Sequence, residues 1–188
     1  MIDDLLSRSS VSDFSDPGPD DAELRLILAA AVRAPDHGKL HPWQFLVIQG
    51  EARNELSELF ADALVRREPQ ATDKQIAKEK AKPLRSPATI AVVAKVTPEH
   101  KIPVVEQVVS AAAAGMNIVN AVHALGFGAK WVTGANCYDP YFLAEFGVRP
   151  PDQLLGFIHI GSLKTAPETT RPDAAQFTTE WRRARPDR

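Results

Sequence analysis

The stretch VEQVVSAAAAGMNIVNAVHAL (residues 105–125), followed at once by GFGAKW (126–131), decides between two architectures. The spacing Gly126-Phe127-Gly128 invites a dinucleotide-binding loop. Such a loop follows a strand and opens a helix, so that the helix N-terminus meets the pyrophosphate. Here the order is reversed: the glycines close a helix and precede Lys130-Trp131-Val132. Gly126 therefore reads as a helix cap. The helix from Val105 to Leu125 is apolar on more than one stripe, which suits a core or a subunit interface.

Working outward, short β-branched runs alternate with helical patterns. Phe45-Leu46-Val47-Ile48, Thr89 to Val96 and Leu154 to Gly161 read as buried strands. Leu24, Ile27, Leu28, Ala31 and Val32 recur at helical spacing behind a cap at Asp20 or Asp21, in a helix that should end before Pro35. Glu51 to Arg67 presents one apolar face, and Thr72 to Lys82 is a charged, solvated helix. Asp139-Pro140 sets a cap and an N1 proline for a short helix through Phe146. A short helix around Leu5 and Leu6 opens the chain. No repeat or long linker divides the 188 residues, so the expectation is one α+β domain over 1–188.

The composition bounds the partners. With 22 Lys+Arg against 24 Asp+Glu the formal net charge is −2, which gives no global attraction to nucleic acid or to an anionic membrane. No apolar run reaches the length of a membrane span, and the start of the chain is too acidic for a signal peptide. One cysteine cannot form an internal disulfide, so a reducing cytoplasm is expected.

Three groups of residues could carry chemistry. His37 and His41 stand four apart, but Gly38 and Pro42 argue against a helix presenting both, so no metal site is expected. Cys137 could pair with His123 or His159 as the nucleophile of a small hydrolase, although a lone buried thiol is usually inert. Arg8-Ser9-Ser10 supplies a guanidinium and two hydroxyls that suit a phosphate or polyol chain, and equally a serine-capped surface terminus.

Taken in order, Arg8-Ser9-Ser10-Val11-Ser12-Asp13-Phe14, Arg33-Ala34-Pro35-Asp36-His37, His41-Pro42-Trp43-Gln44-Phe45 and Gly126-Phe127-Gly128-Ala129-Lys130-Trp131 resemble the nitroreductase family of flavoenzymes, most nearly its compact bacterial branch. The likeness runs from Leu5 to Gly161. It implies an antiparallel-dominated sheet wrapped by helices in an interlocked homodimer, with FMN at the subunit interface. Chemistry would reside on the flavin, in a ping-pong exchange between NAD(P)H and an electron-poor acceptor such as a nitroaromatic or quinone. The alternative is a flavin-sequestering protein with little turnover. By the same resemblance Arg8, Ser9 and Ser10 hold the flavin phosphate and ribityl chain. Arg33, Pro35, His37 and Lys39 run along the flavin, and Trp131, Val132 and Thr133 place backbone near its reactive edge. The family often has two arginines before the first serine and a glutamine before Pro-Trp. Here one arginine and His41 stand there, so Lys164 or Arg171 is expected to supply the missing cation.

Overall fold

A computed structural model describes residues 2–165 and 170–183. In chain order its elements are α1 (Ile2–Ser7), β1 (Phe14–Ser15), α2 (Asp21–Ala31), β2 (Trp43–Gln49), α3 (Ala52–Arg67), α4 (Asp73–Lys80), β3 (Ala88–Ala94), α5 (Val104–Ala124), β4 (Gly128–Val132), α6 (Pro140–Glu145) and β5 (Gln153–Leu163). The long strands lie in the order β2–β3–β5–β4, every neighbouring pair antiparallel, and β1 pairs with the last two residues of β5. The antiparallel-dominated sheet flanked by helices is thus the observed architecture. A parallel bridge between Ser10 and Ala129 ties the segment after α1 to β4.

The period of two along each strand divides the core between the two faces of this sheet. Ile90, Val92, Ile158 and Ile160 point toward α2 and α5, where they meet Leu24, Ile27, Ile118 and Val122. Ala91, Val93 and Phe157 point the other way, onto Phe60 and Ala63 of α3 and Phe142 of α6. The second stripe of α5 stays uncovered, with Val105, Val109 and Met116 exposed.

Local signals place the helix ends. Asp20 accepts from the N–H groups of Ala22 and Glu23 while Glu23 returns a bond to the Asp20 N–H, a capping box that starts α2. The Asp139 carboxylate accepts from Phe142 N–H ahead of Pro140. Gly126 closes α5 at a φ of 86°, a left-handed conformation that its missing Cβ permits.

One side chain of β4 turns away from the face its neighbours share. Trp131, placed beside a cofactor by the family likeness, turns its indole into the core and donates from Nε1 to the Leu155 carbonyl at 3.1 Å. Two glycines make room for it. A Cβ at Gly115 would lie 2.4 Å from the indole, and one at Gly156 would lie 2.5 Å from both its Nε1 and the Val132 carbonyl. Opposite β3, the strand β5 carries an extra residue, Leu155, between the pairs Val92–Gly156 and Val93–Leu154. This bulge aims the Leu155 carbonyl at the indole.

Candidate functional site

The alternation that sends Trp131 inward sends its neighbours Lys130 and Val132 to the opposite face, toward α3. There the sheet does not close completely on its helices. A pocket of about 390 Å³ remains, walled by Ser12 and Phe14, by Phe60, Leu64 and Arg67 of α3, by Lys82 and Arg85 ahead of β3, by Lys130 and the run Val132 to Cys137, and by Phe157 and His159 of β5. Val132 and Thr133 are among the lining residues.

The wall is rich in cations, and they differ in whether a carboxylate neutralises them. Arg67 donates to Asp139 at 2.6 Å, and Lys82 lies 2.5 Å from Glu79. Lys130 donates to the Ser12 hydroxyl at 2.6 Å, and the Arg85 guanidinium has no ion pair among the described residues. Glu68 adds one more carboxylate to the rim. For Asp139, burial works to raise its pKa, but the Arg67 guanidinium and the Phe142 N–H outweigh it and hold the carboxyl below the ordinary range. The ion pair that braces this wall therefore persists at neutral pH.

His159 stands on the floor of the pocket, buried. Its Nδ1 lies 3.1 Å from Ser86 Oγ and 3.0 Å from Thr89 Oγ1. Burial, with the charges of Arg85 and Lys130, pushes its pKa down to about 4. The unfolded chain, near 6.5, binds the proton more tightly, so this histidine's share of stability is full above pH 6.5 and is lost as pH falls toward 4. Parent protein is expected to lose about 3 kcal/mol more than His159→Gln between pH 7 and pH 4 in urea denaturation. Equal losses would show that this histidine is not held neutral.

A second, smaller cavity of about 180 Å³ lies past the end of α1, lined by Arg8, Ser9, Val119, His123, Phe127 and Gly128 among others. The backbone of Ser10 is engaged in the bridge to β4. The tail brings a further cation here, since Arg171 donates to the Arg8 carbonyl. Lys164 pairs with Asp13 at 2.8 Å on the strip of surface between Ser12 and Phe14.

The loop of residues 33–41 reaches neither cavity of its own chain. Arg33, Pro35, His37 and Lys39 are all exposed, and His37 Nδ1 lies 2.6 Å from Glu106 at the start of α5. His41 faces Asp36 at 3.9 Å, and the described residues hold no cluster of metal-ligating side chains. Cys137 and His159 share a pocket, but the imidazole bonds to Ser86 and Thr89 instead, and burial pushes the thiol pKa up. His123 bonds to Ser7 at 3.0 Å. Neither histidine activates the thiol, so the hydrolase alternative has no support here.

Reasoning from sequence gave no role to Arg85 or Asn136, quoted Ser12 and Lys130 only as members of motifs, and weighed His159 only as a partner for Cys137. One signal for His159 was available: it is the one polar residue in the run Leu154 to Gly161.

Comparison with known proteins agrees with the geometry. The chain is 38% identical over 177 residues to the Escherichia coli K12 protein named "Putative NAD(P)H nitroreductase YdjA", covering 93% of this chain and 96% of that one. A nitroreductase-like family protein from Bacillus cereus superposes with a TM-score of 0.81 at 25% identity, over 95% of this chain and 94% of the other. At 23% identity the likeness to a Desulfovibrio desulfuricans structure described as a complex with FMN (TM-score 0.74, 95% of each chain) speaks for the fold alone. Among the described residues no helix is long and apolar enough to cross a membrane. With the Nitroreductase family's sequence model matching residues 5–162, nearly the stretch over which the four motifs were laid out, the chain belongs to the nitroreductase family.

Proposed function

We propose that this chain is an FMN-dependent NAD(P)H oxidoreductase that reduces electron-poor acceptors, nitroaromatics and quinones among them. The observation that carries this is the basic pocket beside β4, where cations free of carboxylates share one space with a neutral imidazole and the aromatic and apolar side chains of Phe14, Phe60, Leu64 and Phe157. That lining fits a planar ring with an apolar body and a polar edge. It fits the flavin a second time in Asn136, whose Oδ1 is buried there without a partner. Arg8 and Ser9, with Arg171 and Lys164 nearby, would hold the phosphate end. When bound, FMN supplies the hydride chemistry. The protein's part is to hold the ring, exclude water beneath it, and set cations beside the edge where negative charge develops.

The working form is a homodimer. Leu5 and Leu6 of α1, Val105, Val109 and Met116 of α5, and Phe177 and Trp181 of the tail are exposed, and apolar area of this kind calls for a partner. A second copy would also bring the loop of residues 33–41 to the site that its own chain does not let it reach. Light scattering should return twice the chain mass of 20.5 kDa. A monomer mass at micromolar concentration would remove both the dimer and the role of His37.

The decisive test is the visible spectrum of the purified protein. Yellow protein should bleach on anaerobic addition of NAD(P)H and recover its colour with a quinone. Bound flavin that NAD(P)H leaves oxidised would mark a sequestering protein instead. Arg8→Ala is expected to weaken FMN binding about 10-fold or more in titrations of the apoprotein, because a charge-assisted phosphate contact is lost. Unchanged affinity would move the phosphate elsewhere.

A further inference from the structure

His159 is the one polar side chain of the central strand that faces the pocket, and its surroundings assign its tautomer. The Ser86 hydroxyl donates to the Ala88 carbonyl at 2.8 Å, so its oxygen can only accept from the imidazole. Thr89 Oγ1 offers a second acceptor to the same Nδ1. A proton on Nδ1 satisfies both contacts when Thr89 gives its own hydroxyl hydrogen to Ser86 Oγ, 3.4 Å away, and Nε2, which makes no hydrogen bond among the described residues, then carries a lone pair. A histidine in this state is an acceptor.

Two cationic donors, Lys130 and Arg85, stand near it. In the register of the sheet Lys130 of β4 pairs with His159 on one side, and Thr89 of β3 pairs with it on the other. Arg85 stands four residues before Thr89 and lines the same pocket. Across three neighbouring chain segments the wall thus runs donor, acceptor, donor. The remaining cations are committed, Arg67 to Asp139 and Lys82 to Glu79. The pyrimidine edge of an isoalloxazine presents the complementary order, carbonyl, N3–H, carbonyl.

We propose that Lys130, His159 and Arg85 read the imide edge of the flavin, with His159 Nε2 accepting its N3–H and the two cations donating to the flanking carbonyls. This rests on the FMN reading above and assigns the polarity of the site to a histidine in the middle of the sheet. Nothing in the reading requires the imidazole to exchange a proton, so His159 is a binding and positioning group.

The test titrates apoprotein with FMN and with 3-methyl-FMN, which lacks only the N3–H donor, following the quenching of flavin fluorescence. The parent should bind FMN about 10- to 100-fold more tightly than the methylated form, the loss expected when a buried acceptor is left without its donor. In His159→Leu that ratio should fall to near one, and His159→Gln, which can present an acceptor, should restore part of it. A ratio unchanged in His159→Leu, or a parent that binds both flavins equally, would overturn the proposal. So would a ratio lost in Asn136→Ala and kept in His159→Leu, since that would give the N–H to the other partnerless acceptor of the pocket. Nitrogen-15 spectra of the parent answer the question without any variant: the acceptor resonance of His159 Nε2 should move on adding FMN and stay in place on adding 3-methyl-FMN, and an unmoved resonance would also overturn it. Folded apoprotein that took up neither flavin would instead bring down the FMN reading itself.

Discussion

Replacing Phe142 with alanine is expected to lower the unfolding free energy by about 3–5 kcal/mol, the usual loss for a large aromatic cut out of a core. The side chain is fully buried. Its ring stacks on Phe146 with centroids 5.4 Å apart, and meets Phe60 edge-on at 5.2 Å and Phe157 at 6.2 Å. Phe60 and Phe157 are also walls of the pocket. Chemical denaturation should therefore show the stability loss, and flavin titration of the surviving folded protein should show weakened binding. A loss below about 1 kcal/mol would mean that α6 settles into the vacated space and does not anchor this face.

Gly156→Ala should cost several kcal/mol from a single added methyl group. The position has a φ of 135°, a conformation that L side chains rarely adopt, and the new Cβ would lie 2.5 Å from the Val132 carbonyl. Backbone cannot yield as a flexible side chain would. Strain at such a φ and overpacking each cost about 1–3 kcal/mol. The displaced neighbour is β4, which carries Lys130 and Val132 and leads into Thr133, so flavin retention should fall together with the melting temperature. Gly115→Ala offers the comparison: it presses on the same indole, 2.4 Å away, from the helix side and leaves β4 carbonyls alone. If both variants melted like the parent, the indole would not be the wedge that sets the spacing between β4 and β5.

Much of the fold was legible because long elements repeat their signal. The apolar runs that became β2, β3 and β5 and the helical spacing in α2, α3 and α5 each offered several residues in agreement, and Asp20, Asp139 and Gly126 marked ends by their own chemistry. The strands β1 and β4 were not legible. Two residues carry no period, and β4 begins with a glycine and includes a lysine, so it reads as a loop until β5 pairs with it. The site was legible only in part for a related reason. Lys130, Val132 and Thr133 stand in or next to a motif, whereas His159 meets Lys130 only through sheet register and Arg85 comes from the turn ahead of β3. Register also explains Trp131. The motif spoke for its backbone only, and strand alternation, which turns every second residue to the far face, decides where the indole goes.

The sheet acts as a partition with unlike tenants. On the side of α2 and α5 it is packed with aliphatic side chains against the helix whose outer stripe is exposed, and on the side of α3 and α6 it leaves the pocket open. Side chains that alternate along one strand therefore answer to different demands. Changes at even steps from Phe157 and Val132 can remodel what the pocket admits, while those at the intervening positions, Ile158 and Trp131, bear on packing and assembly. A chain built this way can reshape its pocket without disturbing the packing on the other side, and a search for altered pocket specificity should sample one face of β4 and β5 and leave the other untouched.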